Sequence, residues 1–484
     1  MIGSPSPPPR QTIFAASYDG AMRRPGLTHL PLLAAVTLTA CSGIQASTSL
    51  QARIDAAGLG GDVDLPAGIW IGEVTIRKPV TLHGAGREVT ILSGRRPLSI
   101  GVRGVRVEGL TVRGAETAIS VEPDASLVLR HARLESAGTG IAIAARASAV
   151  IEDTTAVCSA ESKGAAAVRV EGQLQATGLD VSGPWRRGID ATSATVTLSG
   201  VTMRDAEAAS IHAVDSTLHL SDVDLSTTHA GAAGVFAARC HLTGEKLKLS
   251  GGEEGFLLRD GDTRIDGLTA TRISSSAFAA VGGTESVQHA DLTGPFSEAA
   301  ISALNGSSVS VSDVDVHAGG AVGLLAVNAR VEASSMRVDG ARCDRDGDFG
   351  HGFALEKSTG TFRDIQVTHA EGAAIYASDE RSRGQVDGCV ASEVAVGAMA
   401  VLEANLSLSR CDLKSTSIGA LATGHARIVL SGGELHAPVG VMACVGSTIE
   451  TGGGIVLTAP VPRQSCRDES LEKTWRRGSG APHK

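Results

Sequence analysis

Aromatic residues are scarce in this chain of 484 residues, of which only 3% are Phe, Trp or Tyr. Because 42% of the residues are nevertheless hydrophobic, the core has to be built from Val, Ile, Leu and Ala. Such a core suits thin, repetitive layers better than one large globular interior. The same scarcity leaves few rings on which a sugar could stack, so a binding platform of aromatic side chains is not expected.

An excess of positive charge is also absent, because the formal net charge is −9. A protein that binds nucleic acid as its main partner needs a basic face, so nucleic acid is excluded as that partner. Beyond the N-terminal region, no stretch approaches the roughly 20 apolar residues of a membrane span. We therefore expect a protein that is not threaded through a membrane.

The N-terminal region has the features of an export signal. Residues 1–21 are polar and rich in Pro and Ser, which indicates disorder or a misassigned start upstream of Met22. Two arginines and a short apolar run at 30–38 follow, as in the n-region and h-region of a secretory signal. We predict a signal peptide at 22–40 and a linker at 41–48.

The end of this signal, Leu38-Thr39-Ala40-Cys41, resembles the lipobox of bacterial lipoproteins. The resemblance implies cleavage before Cys41 and attachment of lipid to its sulfur, which would anchor an exported protein to the bacterial cell envelope through the membrane. The alternative is an ordinary signal peptide in which a cysteine falls at that place by chance.

The rest of the chain repeats itself. An apolar residue preceded by a small one recurs at intervals of 21 to 29 residues. A period this regular is typical of a solenoid. A leucine-rich repeat has a similar period, but its fixed Asn is missing here. The anchors are Ile119, Ile141, Val168, Ile189, Ile211, Val235, Phe256, Phe278, Ile301, Leu324, Phe353, Ile375, Ala398, Ala420 and Val441.

The segment before these repeats has a recognisable order. Leu50, Ile54 and Ala57 lie on one face of a short helix, which is followed by Leu65-Pro66-Ala67-Gly68 and brief β-branched runs. This order resembles the opening of right-handed parallel β-helix proteins of the pectin-lyase-like superfamily. The resemblance implies an all-β, single-stranded right-handed parallel β-helix of about 17 coils at 49–460, with an N-terminal capping helix. Residues 461–484 are interpreted as a C-terminal cap or tail, with a short helix at 465–477.

Two of the repeats are long, and insertions on solenoids tend to lie on a functional face. The longest contains Asp344, Asp346 and Asp348 at alternate positions beside glycine, a spacing found in calcium-binding loops. These three are candidate calcium ligands, although the Glu that completes an EF-hand is missing at the expected distance. A solvated acidic turn is the alternative. No other cofactor is indicated.

Gly350-His351-Gly352, on the same long repeat, resembles the Gly-His-Gly of polygalacturonases, which share this fold. The Asp motifs that accompany it in that family are not found at matching positions. We therefore assign no catalytic residue, and treat His351 as part of a candidate surface cluster.

Outward-facing aspartates are predicted to align along the solenoid. In apolar-x-apolar runs the middle residue points outward, which places Asp291 and Asp315 at one position on adjacent coils. Asp180, Asp224 and Asp412 share that position farther along. We interpret this row as an exposed, solubilising stripe rather than a metal site.

Cysteines occupy equivalent positions in neighbouring repeats. Cys389 and Cys411 are 22 residues apart and share one inward position. Stacked strands lie about 4.8 Å apart, within the Cα separation of disulfides. The pair is either a disulfide or two buried thiols that act as small apolar residues. Cys444 and Cys466 have the same spacing, but the second lies beyond the last clear coil.

Two functional classes remain. We favour an envelope-anchored lipoprotein whose non-catalytic β-helix presents a long regular face to a protein or glycan partner. The alternative, which the family resemblance permits, is a polysaccharide lyase or glycoside hydrolase that acts on an acidic polysaccharide.

Overall fold

The computed structural model describes residues 44–158, 164–318, 320–343 and 350–466. They form an all-β parallel solenoid of about 18 turns, with one short helix near the N-terminus. The predicted fold class is thereby confirmed, and the expected number of coils was about one too low. Within the described residues, no helix is both long enough and apolar enough to cross a membrane.

Each turn contains three strand segments, which we call leg 1, leg 2 and leg 3. In one early turn these are β10 (Thr117–Val121), β11 (Ser126–Arg130) and β12 (Arg133–Ser136). Each leg pairs in parallel with the same leg of the next turn, so the sheet consists of three ladders. This pairing satisfies the backbone groups of every interior coil.

In the first turns the legs are separate short strands. They are β1 (Ile44–Ala46), β2 (Gly61–Leu65), β3 (Gly68–Ile71), β4 (Val74–Ile76), β5 (Val80–Gly84), β6 (Thr90–Gly94), β7 (Leu98–Ile100), β8 (Val105–Glu108), β9 (Thr111–Gly114), then β10 to β12 as above, β13 (Thr139–Ile143), β14 (Ser148–Glu152), β15 (Thr155–Cys158), β16 (Gly164–Val170), β17 (Gln173–Thr177), β18 (Asp180–Ser182) and β19 (Trp185–Thr192).

From β20 onward, legs 2 and 3 usually form one long bent strand. These later strands are β20 (Thr195–Arg204), β21 (Ala209–Val214), β22 (Thr217–Ser226), β23 (Ala233–Ala238), β24 (His241–Ser250), β25 (Glu254–Arg259), β26 (Asp262–Thr271), β27 (Ser276–Val281), β28 (Thr284–Gly294), β29 (Ala299–Leu304), β30 (Ser308–Ala318), β31 (Val322–Val327), β32 (Arg330–Asp339), β33 (His351–Glu356), β34 (Thr359–Thr368), β35 (Ala373–Ser378), β36 (Arg383–Val401), β37 (Asn405–Thr423), β38 (Arg427–His436), β39 (Val439–Cys444), β40 (Thr448–Thr451), β41 (Ile455–Thr458) and β42 (Val461–Cys466).

The bend between leg 2 and leg 3 is made by a single residue with positive φ. Asp222, His289 and Asp313 occupy this corner on different turns, with φ of 52°, 51° and 51°. Asp and His are among the residues that adopt this left-handed conformation most readily without being glycine. The bend interrupts the side-chain alternation once per turn, and leg 3 then resumes it with its apolar residues inward.

Leg 1 carries the fifteen predicted anchors. They align in one register along the solenoid, from Ile119 opposite Ile141 to Ala420 opposite Val441. All are buried, and one continuous hydrophobic core runs through the coils. The 21-to-29-residue spacing thus identified true structural equivalents, because insertions fall at the corners and leave the strands in step.

The two ends differ from expectation in their bounds. The capping helix α1 spans Ser47–Ala56 rather than 50–57, with Leu50 and Ile54 buried against the first coil as predicted. The strands extend through Cys466, so the solenoid exceeds the predicted 49–460. The expected helix cannot begin at Ser465, which is in β42, because leg 1 is completed once more there.

Candidate functional site

An open groove of about 900 Å³ lies on the outer face of leg 3, beside the corner with leg 2. It crosses the turns from β22 to β34. Its lining is polar and charged apart from short backbone stretches. The lining residues are Asp222, Lys246, Leu247, Lys248, Gly267, Leu268, Thr269, His289, Ala290, Asp291, Asp313, Asp315, Ser335, Arg337, Asp364 and Gln366.

The floor of this groove is one row of outward side chains, which we call the groove ladder. Parallel pairing places Lys248 beside Thr269, Thr269 beside Asp291, Asp291 beside Asp315, and Asp315 beside Arg337. Each is the middle residue of an apolar-x-apolar run, so its neighbours in the strand are buried and it points outward. The ladder therefore has two adjacent carboxylates at its centre and a cation at either end.

The two central carboxylates have different partners. Arg337 Nε lies 2.7 Å from Asp315 Oδ1, in an ion pair whose side chains remain largely exposed. Asp291 Oδ1 instead accepts a hydrogen bond of 3.3 Å from the hydroxyl of Thr293. Among the described residues no cation pairs with Asp291. One carboxylate of the pair is therefore neutralised by a guanidinium, whereas its neighbour is not.

His289 lies at the corner above Asp291. Its Nδ1 is 2.6 Å from Asp266 Oδ1 and its Nε2 is 3.7 Å from Asp313 Oδ2. The hydrogen bond and charge of Asp266, helped by the charge of Asp313, raise the pKa of His289. The raised pKa favours an imidazolium at the rim, which is a proton donor near neutral pH.

Smaller hollows continue along leg 3 toward the corner with leg 1. One of about 230 Å³ shares Asp315 and Arg337 with the groove and adds Asp339. Hydrogen bonds from Thr368 Oγ1 and His369 Nδ1, both 2.7 Å, lower the pKa of Asp339. The polar surface thus extends past the groove in the direction of the C-terminus.

The structure brings together only part of the predicted site. Asp291 and Asp315 are adjacent, as expected for the aspartate row. The calcium candidates Asp344, Asp346 and Asp348 lie outside the described residues, as does Cys41. Across the ranges that the structure describes, no group of three or more His, Cys, Asp or Glu is arranged to hold a metal ion.

His351 is buried, with 5% of its surface exposed, which corrects its assignment to a surface cluster. It starts β33 on leg 1, where its ring stacks on Tyr376 at 4.5 Å and its Nδ1 accepts a hydrogen bond from Ala373 N. Desolvation lowers the pKa of His351 to about 4, so the ring is neutral at physiological pH.

The cysteines show which alternative the fold adopts. Cys389 and Cys411 are in register and buried, but both are thiols, so the structure contains no disulfide between them. A thiol–thiol hydrogen bond and burial raise the pKa of Cys389. Cys444 is disulfide-bonded, and its register partner is Cys466, because the solenoid includes one coil more than the sequence pattern revealed.

Sequence reasoning missed Arg337, Lys248 and His289. The signal for the first two was present, because Met336-Arg337-Val338 and Leu247-Lys248-Leu249 follow the same apolar-x-apolar pattern as the aspartates. His289 sits at a corner with positive φ, where the alternation breaks, so its direction could not be deduced from the pattern.

No protein-family model matches the chain, and no curated protein matches it in sequence. Several solved structures are similar to it at low identity. The catalytic domain of a GH87 alpha-1,3-glucanase in complex with tetrasaccharides is 13% identical, with a TM-score of 0.30 over 64% of this chain and 60% of that chain. This chain thus matches only about 60% of the length of that glucanase domain.

Two further solved structures cover more of the chain. The N-terminal fragment of bacteriophage Phi29 gene product 12 is 10% identical, with a TM-score of 0.40 over 84% of each chain. A PL6 family alginate lyase is 9% identical, with a TM-score of 0.25 over 87% of this chain and 100% of that chain. At these identities the likenesses concern the solenoid fold alone.

Proposed function

We propose that the groove binds an extended acidic glycan and that the protein cleaves it as a glycoside hydrolase. The observation that carries this proposal is the groove ladder, with two carboxylates on adjacent coils between two cations. Lys248 and Arg337 are four coils apart, or about 19 Å at the usual strand spacing. They would hold the anionic groups of a glycan chain laid along the groove, with a glycosidic bond over the aspartates.

The roles follow from the partners of the two aspartates. Asp315, paired with Arg337, is assigned as the carboxylate that attacks or activates water, and Asp291, which has no cation, as the acid that protonates the leaving oxygen. Equivalent positions on stacked strands are about 4.8 Å apart, close to the roughly 5 to 5.5 Å of retaining glycosidases. We therefore expect the product to retain the anomeric configuration.

The experiment compares binding and cleavage of acidic and neutral polysaccharides by the full chain and by Asp291→Asn and Asp315→Asn. Release of reducing ends should fall about a hundredfold or more in either variant, while binding measured by calorimetry persists. Asp224→Asn is the matched control, because Asp224 has the same outward position but lies outside the groove lining. Activity that survives both substitutions would exclude the aspartate pair.

A non-catalytic scaffold is the second candidate. The ion pair between Asp315 and Arg337 favours it, because an aspartate held by arginine is also a stable surface feature. Glycan binding that depends on Lys248 and Arg337, without release of reducing ends, would support the scaffold. Absence of binding to any glycan would reject both candidates and direct attention to protein partners.

We further propose that the protein is exported and held at the bacterial cell envelope by lipid on Cys41. The support is the order of basic residues, apolar run and lipobox in the sequence. Cells that express the full chain should incorporate an alkyne-labelled fatty acid into it, and Cys41→Ser should abolish this labelling. A labelled Cys41→Ser protein, or an unlabelled wild type, would contradict the lipid anchor.

A further inference from the structure

A second apolar cluster lies outside the core, on the outer face of leg 1 in the C-terminal turns. Parallel pairing aligns Ala354, Tyr376, Met399 and Leu421 in one outward row, flanked by Val396 and Ile418. We call these six residues the leg 1 stripe. They form a cluster separate from the continuous interior core. A solenoid needs an apolar interior, but it does not need an apolar exterior.

The leg 1 stripe is nevertheless buried. Tyr376 exposes only 4% of its surface, and Met399 and Leu421 only 3% each. The same outward row in the N-terminal turns is polar and more exposed, with Arg169, Asp190 and His212. The change from polar to apolar along one row indicates that the C-terminal turns have a specific neighbour there.

That neighbour is not one of the described elements. Side chains that point away from a sheet meet solvent unless another layer lies on them. Every described strand belongs to one of the three ladders, and α1 lies at the opposite end of the solenoid. Among the parts of the chain that the structure describes, nothing therefore forms a layer over this face.

We propose that residues 467–484 fold back over the leg 1 stripe and cover it, with Leu471 and Trp475 packed against Tyr376 and Met399. This inference is independent of the glycan proposal. The segment starts at the right place, because β42 is itself a leg 1 strand, with Gln464 beside Met442 at the end of the outward row. The coil beneath it is fixed by disulfide-bonded Cys444.

The chemistry of the segment matches the surface. Leu471 and Trp475 are four residues apart and would share one face of a helix that ends before Gly478. A helix over residues 467–477 would be about 16 Å long, or a little more than three strand spacings. That length extends from the last coil to the coils of Met399 and Tyr376.

Charges at the edge of the stripe agree with this placement. Asp379 and Glu403 follow leg 1 on the coils of Tyr376 and Met399, where Arg476 and Arg477 of the segment would arrive. Glu356 lies on the next coil toward the N-terminus, and burial raises the pKa of its carboxyl group. The covered edge is thus acidic and the end of the proposed cover is basic.

Tyr376 provides a direct test, because the chain contains only two tyrosines and the other is Tyr18. Nitration by tetranitromethane, located by mass spectrometry of tryptic peptides, reports whether the Tyr376 ring is covered. We compare the full chain with a chain that ends at Cys466 and with the double variant Leu471→Asp/Trp475→Asp. Lys473→Asp is the matched control, because it places the same charge on the opposite face of the helix.

We expect Tyr376 to be protected in the full chain and in Lys473→Asp, and nitrated about tenfold faster in the shortened chain and the double variant. Circular dichroism should show unchanged β-structure in all four proteins. Equal reactivity in the full and shortened chains would overturn the proposal. So would protection that rises with protein concentration in parallel with dimerisation seen by light scattering, which would assign the cover to a second copy.

Discussion

Glu285 is a carboxylic acid inside the solenoid. It occupies an inward position of leg 2 between Thr263 and Val309, exposes 1% of its surface, and neither side-chain oxygen has a hydrogen-bond partner. Desolvation, with smaller contributions from Asp262 and Asp260, raises the pKa of Glu285 to about 8. The folded protein therefore keeps this group protonated and neutral at neutral pH.

This burial makes stability depend on pH. The carboxyl group titrates near 4.3 in the unfolded chain, so between about pH 4 and 8 the folded state binds a proton that the unfolded state does not. Stability should consequently fall as pH rises through this window, by at most about 1.4 kcal/mol per pH unit. Glu254, whose pKa is raised to about 7 by burial, acts in the same direction.

Glu285→Gln removes the titration while keeping the shape of the side chain. We expect the urea midpoint of the variant to fall less than that of the wild type between pH 6 and pH 8, with a difference of about 1 kcal/mol or more in the free energy of unfolding. Exposed Glu380 supplies the control, since Glu380→Gln should leave the pH dependence unchanged. Parallel pH profiles for the wild type and Glu285→Gln would contradict a buried, protonated Glu285.

Residue-level expectations succeeded where strand alternation decides the direction of a side chain. Asp291 and Asp315 were placed correctly because their neighbours in the strand are apolar, and Glu285 follows the same logic through inward Val287. His351 was placed at the surface because a Gly-His-Gly run resembles a loop. Its burial depends on a layer over the outer face of leg 1, and a repeat pattern carries no information about such a layer.

At the scale of elements, α1 closes the open edge of the first coil. The side-chain amide of Gln51 accepts a hydrogen bond of 3.0 Å from Thr75 N and donates one of 3.1 Å to Thr75 O. These two bonds replace the backbone pairing that β4 lacks on this side. Lys78 Nζ also donates to the carbonyl oxygen of Asp55, at 2.7 Å. The helix thus occupies an edge that could otherwise pair with another chain.

Gln51→Ala should leave both backbone groups of Thr75 without these partners. We expect the first coil to lose about 1 to 2 kcal/mol of local stability and the Thr75 amide to exchange about tenfold faster in hydrogen–deuterium exchange. Gln51→Glu keeps the acceptor for Thr75 N but loses the donor, so its exchange rate should lie between those of wild type and Gln51→Ala. An unchanged Thr75 amide in Gln51→Ala would show that the helix does not protect this edge.

The sequence identified α1 from the spacing of Leu50 and Ile54, and the strands from their periodicity, because both signals are local. The bounds were less accurate. Residues 465 and 466 were assigned to a helix although β42 continues to Cys466, since the last coil has a proline at its second strand position and lacks the small-apolar anchor. The groove also could not be predicted, because its depth depends on how successive corners stack.

At the scale of the whole solenoid, each coil contacts the coils before and after it. The strand of Asp291, β28, pairs with β26 on one side and β30 on the other, and the edge strand β4 pairs with β7. Stability in such an array is approximately a sum of coil terms and nearest-neighbour terms. The capping helix and the groove ladder are separated by many coils and share no contact in the described strands.

This arrangement predicts that the two regions respond independently to substitution. Gln51→Ala should accelerate exchange in β4 and leave β28 and β30 unchanged, whereas Asp315→Asn, which removes the partner of Arg337, should affect only β30 and its neighbours. In the double variant the local free energies from hydrogen exchange should add to within about 0.5 kcal/mol. Faster exchange at Asp315 caused by Gln51→Ala would instead reveal cooperative opening of the entire array, and cleavage at the groove would then depend on the distant N-terminal cap.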